Sequence, residues 1–191
     1  MTKINVDSNL DDIYSNIWRC ISGGIKNRHS DFHTFSLATS TNNMVNNRTV
    51  VLRGCDPEKG KIVFHTHLSS LKIEEIRDND NVECLFYSRK NKIQIRLKGK
   101  AAIHNNDELC NNKWNKMSRQ SQLCYFQNIE PGNKIDDPKK IHQVHGNHIS
   151  EHFTIVEVTI TKTEWLYLSH DGHRRAEFKH NNVNTGQWLA P

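Results

Sequence analysis

The chain predicts a mainly β (α+β) protein, a small antiparallel β-barrel of about six strands with peripheral helices. Strand-like runs outnumber helical ones, and successive strands are separated by tight turns or by single short helices. The most regular run places Ile93, Ile95, Leu97, Ala101 and Ile103 on one face and Lys92, Gln94, Arg96, Lys98 and Lys100 on the other. A long one-sided strand belongs to an antiparallel sheet or barrel rather than to a doubly wound parallel sheet, whose strands are covered on both faces.

The first element is an amphipathic helix in which Leu10, Ile13, Ile17 and Ile21 recur at three and four residues, with Ser8 or Asn9 as cap and Gly23-Gly24 as stop. Two strands joined by a polar loop follow, Asp31 to Ser40 and Arg48 to Arg53. Asp56-Pro57 and Gly60 mark a turn before a strand from Lys61 to His67. Ser69-Ser70 opens a short helix carrying Leu71, Ile73 and Ile76, and Asp78 to Asn81 is its polar exit. Strands at Val82 to Ser88 and Ile93 to Ile103 precede a helix from Asp107 to about Ser118, with Cys110, Trp114 and Met117 on one face. After a loop containing Pro131-Gly132 and Pro138, strands return at Phe153 to Ile160 and Trp165 to Leu168. No internal repeat or low-complexity linker divides the chain, so residues 1–191 are read as a single domain.

The formal charge of +5 suits an anionic ligand. Nucleic acid is not expected as a partner, because the basic residues are spread along the chain and no recognised motif interleaves them with aromatics. Five cysteines, Cys20, Cys55, Cys84, Cys110 and Cys124, are odd in number and lack C-x-x-C spacing, which argues against a disulfide framework or a structural zinc site. The opening MTKINVDSNLDD has no signal-peptide core, and no apolar run is long enough to cross a bilayer. A cytoplasmic protein with reduced thiols and no membrane contact is the expectation.

The stretch RTVVLRG, Arg48 to Gly54, is the first candidate for chemistry. Strand alternation puts Arg48, Val50 and Leu52 on one face and Thr49, Val51 and Arg53 on the other, so each face carries one arginine. A helix start offers unpaired N–H groups and partial positive charge, which makes Ser69, Ser70 and Lys72 an anion seat. Joined by Arg48 or Arg53, the set suits a terminal phosphate through charge-assisted hydrogen bonds of about 1.5–3 kcal/mol each; ordinary capping by serine is the competing account. Gln94 interrupts a cationic strand face with a side chain that both donates and accepts, as recognition of a flat heteroaromatic ring requires. The cluster HRRAEF, His173 to Phe178, suits a second anion or stacking on an aromatic ligand, with exposed loop cations as the alternative. His142, His145, His148 and His152 have spacings that would collect a metal on a helix, but Gly146 and Asn147 disfavour a helix and no carboxylate or cysteine completes the set, so no metal is expected. The absence of G-x-S-x-G, H-E-x-x-H, Walker and G-x-G-x-x-G patterns argues against a hydrolase or a Rossmann dehydrogenase.

The ordered set RTVVLRG, a strand ending in HT, SSLK, QIRLKGKA, HRR and a chain ending WLAP resembles the pyridoxamine 5′-phosphate oxidase-like family of flavoproteins. The resemblance runs from about Phe35 to Pro191 and is greatest to the subgroup with the HRR motif. It implies a split β-barrel and a homodimer with flavin mononucleotide (FMN) at the subunit interface. It also implies cofactor contacts from Arg48, Thr49, Val50, Val51, Leu52 and Arg53, from His65 and Thr66, from Ser70 and Lys72 of the S-x-K motif, from Gln94, and from Arg175 or its neighbour Arg174. Arg53, Arg119, Ser121 and Arg174 become candidates to hold a small anionic substrate.

Departures from the family pattern bear on the substrate more than on the cofactor. Leu71 stands where a basic residue usually precedes the lysine, Arg53 stands where the vitamin-B6 enzymes carry a lysine, and His173-Arg174-Arg175 replaces an R-L-H signature. The R-x-x-x-S spacing is shortened in Arg119 to Ser121. The implied activity is oxidation of pyridoxamine or pyridoxine 5′-phosphate, or of a related anionic amine or alcohol, with transfer of two electrons through the flavin to oxygen. An FMN-dependent reductase with a nicotinamide or deazaflavin donor and a non-enzymatic flavin or haem-binding module are the alternatives.

Overall fold

The structure, a computed structural model, describes residues 8–141, 146, 148–180 and 184–191. Its described strands form one antiparallel sheet: β1 (Thr34–Thr41), β2 (Met44–Asp56), β3 (Lys61–His67), β4 (Asn81–Ser88), β5 (Ile93–Asn105), β6 (Phe153–Tyr167), β7 (Arg174–His180) and β8 (Asn184–Leu189). Neighbours run in the order β3-β2-β1-β4-β5-β6-β7-β8, and pairing of β3 with β6 closes the first six into a barrel. The strands β7 and β8 extend the sheet beyond the closure. This is the expected mainly β barrel with two extra strands.

Side-chain alternation fills the barrel. Phe35, Leu37, Leu52, Ile62, Phe64, Cys84, Phe86, Ile95, Leu97, Val156 and Val158 are fully or almost fully buried in one cluster. On β5 the inward and outward sets fall as the sequence pattern dictates, with Ile93, Ile95 and Leu97 buried and Lys98 and Lys100 exposed. The helix α1 (Leu10–Lys26) lays Ile13, Ile17, Trp18 and Ile21 on the same core, capped by Asn9, whose side chain accepts from the Asp12 N–H at 2.8 Å. The expected stop at Gly23-Gly24 is not one, because the helix continues to Lys26. Gly24 instead permits close packing: a Cβ there would lie 2.2 Å from the Phe32 carbonyl oxygen.

A second apolar cluster covers the outside of β3 and β6. Cys110 and Trp114 of α3 (Glu108–Trp114) pack on Phe153 and Ile155, joined by Val63, Met117 and Tyr125. The expected helix to Ser118 breaks after Trp114, since Ser118 caps a separate turn of helix, α4 (Arg119–Leu123), through its hydroxyl and the Ser121 N–H. The short helix α2 (Leu71–Asp78) packs Ile73 and Ile76 inward.

Other differences lie in strand extent. The two expected strands between Phe153 and Leu168 are one strand, β6, because pairing with β3, β5 and β7 uses its whole length. The HRRAEF segment is not a loop: Arg174 to Phe178 belongs to β7, paired on both sides. No described helix is long and apolar enough to cross a membrane.

Candidate functional site

The strands β2 and β3 and the start of α2 enclose a cavity of about 280 Å³ lined by Arg48, Thr49, Val50, Val51, Arg53, His65, Thr66, Lys72 and Tyr125. Three cations and no carboxylate line it, so its walls carry net positive charge.

At one end, Lys72 Nζ donates to Thr66 Oγ1 at 3.1 Å and Thr66 Oγ1 donates to Ser70 Oγ at 3.3 Å. Ser70 occupies the N-cap position of α2, yet its side chain makes no capping bond. The capping account of this serine therefore does not hold, and the hydroxyl stands behind Thr66, buried. Burial, reinforced by the nearby Arg48 charge and opposed by Glu75, holds the Lys72 ammonium below its ordinary pKa. Arg48 reaches the same end with its guanidinium paired to Glu75 of α2 at 2.6 Å.

The opposite end belongs to the outer face of the barrel. Pairing steps from Leu52–Phe64 to Gly54–Val63, so Arg53 is the extra residue of a β-bulge. Bulges re-aim side chains, and Arg53 is exposed with no ion-pair partner among the described residues. His65 stands beside it, its ring 5.1 Å from Phe153, with Nε2 buried and without a hydrogen-bond partner among the described residues. Burial, with the charges of Arg53 and Lys113, lowers the His65 pKa to about 4, so its imidazole is neutral at ordinary pH. Burial raises the Tyr125 phenol to about 12, keeping it a protonated donor.

Tyr125 was not singled out from sequence. It follows α4, and its ring is set by edge contacts to Phe153 at 4.9 Å and a tilted contact to Trp114 at 6.0 Å. The available signal is the aromatic pair Tyr125-Phe126, which lies between Arg119–Ser121 and the loop at Pro131-Gly132.

The remaining sequence candidates lie elsewhere. Leu52 is fully buried in the barrel, so only its backbone can face a ligand; the side chain is core. Arg119 is exposed on α4, and Ser121 bonds Ser118; neither lines the cavity. Arg174 and Arg175 occupy opposite faces of β7. Arg174 stacks on the Trp188 ring at 4.4 Å and donates to the Ser8 carbonyl at 3.0 Å. Arg175 donates to Glu164 Oε2 at 2.6 Å. Gln94 and Arg175 flank Leu166 in register across β5, β6 and β7. That face is remote from the cavity, because β2 and β5 are three strands apart by either route round the barrel, through β1 and β4 or through β3 and β6. Of the histidine cluster, His142 and His145 lie outside the described residues. His152 stacks on His67 at 4.4 Å, and no described group of three or more His, Cys, Asp or Glu is placed to hold a metal.

Known proteins share this architecture. Residues 15–105 match the family model described as pyridoxamine 5′-phosphate oxidase, FMN-binding domain. A pyridoxine/pyridoxamine 5′-phosphate oxidase from Psychrobacter cryohalolentis is 38% identical over 88 residues, which cover 46% of this chain and 39% of that protein. A pyridoxamine 5′-phosphate oxidase-related, FMN binding protein from Nostoc punctiforme superposes with a TM-score of 0.76 at 17% identity, over 93% of this chain and 96% of its own. PhzG from Burkholderia lata, solved with tetrahydrophenazine-1-carboxylic acid, gives 0.77 at 18% identity over the full length of both chains. These last two likenesses concern the fold. The family match thus covers just under half of the chain, α1 and the strands β1 to β5, while the split-barrel fold is shared along nearly its whole length.

Proposed function

We propose that the protein is an FMN-dependent oxidoreductase that acts on a small anionic amine or alcohol, with pyridoxamine and pyridoxine 5′-phosphate the first substrates to test. The observation that carries this reading is the cavity lined by Arg48, Arg53 and Lys72 with no opposing carboxylate. The residues present fit FMN: Lys72, Thr66 and the exposed part of the Arg48 side chain form a donor set for a phosphomonoester, backed by the uncapping Ser70 hydroxyl. Thr49, Val50 and Val51 offer an extended strand alongside, suited to a flat ring system. When bound, FMN would supply two-electron chemistry, and no side-chain nucleophile is required.

The chain's own residues bind and orient. Arg53, without an ion-pair partner among the described residues and re-aimed by its bulge, holds the anionic group of the substrate. Tyr125, protonated up to about 12, donates a hydrogen bond beside it. His65, neutral down to about 4, adds no competing positive charge at ordinary pH.

A homodimer follows in this reading from the placement of Gln94 and Arg175. They face away from the cavity of their own chain, so they reach a flavin only across an interface with a second copy. Purified protein reconstituted with FMN should show a flavin absorption band. Anaerobic addition of pyridoxamine 5′-phosphate, pyridoxine 5′-phosphate or NAD(P)H then selects the electron donor by which one bleaches it. Protein that stays colourless in added FMN would refute the cofactor assignment, and bleaching by NAD(P)H alone would replace the oxidase with a reductase.

A further inference from the structure

Glu75 is 1% exposed on the inner face of α2, between Ile73 and Ile76, where packing alone would call for an apolar residue. A buried carboxylate is costly unless its oxygens are occupied, and a well-packed hydrophobe in its place is often no less stable. Both oxygens are occupied. Oε2 accepts from Arg48 Nη2 at 2.6 Å and from Thr39 Oγ1 at 2.5 Å, and Oε1 accepts from Asn46 Nδ2 at 2.7 Å. Arg48 Nη1 also donates to Thr39 Oγ1, which is itself almost wholly buried, closing a triangle of side chains.

The helix that carries Glu75 begins at the anion seat with Ser70 and Lys72, whereas Arg48 stands on β2. The Glu75–Arg48 contact thus joins the two elements that supply the cations. It holds one edge of the guanidinium, leaving the side chain 24% exposed at the cavity beside Lys72. A guanidinium bound on one edge is oriented before a ligand arrives, so less rotamer freedom is lost on binding.

We propose that Glu75 is a positioning residue for phosphate recognition: it fixes Arg48 opposite Lys72, so that the cavity selects a phosphorylated flavin over the same flavin without phosphate. The inference rests on the FMN reading. A simple charge argument predicts the reverse, since a carboxylate near an anion repels it and its removal should tighten binding.

Titration of flavin fluorescence with FMN and with riboflavin, for the full chain and for Glu75→Gln, separates these. The expected result is an FMN Kd raised about tenfold in Glu75→Gln, in line with one charge-assisted hydrogen bond, with the riboflavin Kd within about twofold of the original. Because Glu75 acts through Arg48, Glu75→Gln/Arg48→Gln should bind FMN no worse than Arg48→Gln alone. That pair of variants also decides the matter if Glu75→Gln by itself fails to fold. Equal weakening of both flavins, tighter FMN binding, or an additive loss in the double variant would each overturn the positioning role while leaving FMN binding intact. Failure of the unaltered protein to prefer FMN over riboflavin would instead overturn the cofactor reading, and this inference with it.

Discussion

At Leu52 and Arg53 a single peptide bond separates the barrel core from the cavity wall. Leu52 is fully buried, and Leu52→Ala should cost about 2–5 kcal/mol of stability by urea unfolding, with the spread set by how far the site collapses. Arg53 is exposed and has no ion-pair partner among the described residues, so Arg53→Ala should change stability by less than about 0.5 kcal/mol. The same substitution should raise KM for an anionic substrate about tenfold, the loss of one charge-assisted contact. A normal KM would remove Arg53 from the substrate site. Lys72→Ala should raise the Kd for FMN by at least about tenfold, read by fluorescence titration, because it removes a donor whose charge is already partly desolvated. Two of the three arginines expected from sequence to contact the cofactor are held by buried glutamates, Arg48 by Glu75 and Arg175 by Glu164, each at 2.6 Å. That shared arrangement could not be read from the chain, where the glutamates lie 27 and 11 residues away.

Among the elements, β3 ties the cavity to pH. His65 and His67 share its outward face. Burial leads in lowering both pKa values, His65 to about 4, with His152 and Lys72 adding to the effect on His67 and Glu130 opposing it. An unfolded histidine titrates near its ordinary 6.5, so between there and about 4 the unfolded chain binds more protons than the folded one. The stability contributed is therefore complete above about pH 6.5 and declines as pH falls toward 4. Urea midpoints measured at successively lower pH should fall across that window, and His65→Gln, which does not titrate, should flatten the slope. An unchanged slope in the variant would locate the dependence elsewhere. Protonation of His67 also reaches the turn before α2, because its Nδ1 accepts the Ser69 N–H at 3.2 Å and a protonated ring cannot.

For the whole molecule, closure of the barrel decides which residues can meet. The strands β2 and β5 lie three steps apart round the barrel, which in the proposed reading keeps Arg175 from the flavin that Arg48 of the same chain would hold. If two copies share it, Arg48→Gln and Arg175→Gln proteins each lose both sites of a dimer, yet a hybrid of the two regains one intact site. Mixing after partial denaturation and refolding should restore FMN binding at about one site per hybrid dimer, by the interface logic of a two-fold assembly. No recovery, with hybrids shown to form, would place each flavin within one chain.

The residue pattern alone carried the barrel, the inward and outward sets of β5 and the first helix, because local alternation and helix periodicity are properties of neighbouring residues. The extra strands β7 and β8 were missed, since a strand rich in charge shows its nature only through its partners, here the Glu164 and Lys162 contacts and the pairing to β6. Tyr125 entered the cavity through packing on Phe153 and Trp114, contacts between distant segments. Tertiary structure alone decided that Ser70 does not cap its helix, that Arg53 is bulged outward, and that Gln94 and Arg175 stand across the barrel from the cavity. Each depends on strand pairing and barrel closure, which set side-chain direction over distances that no local pattern spans.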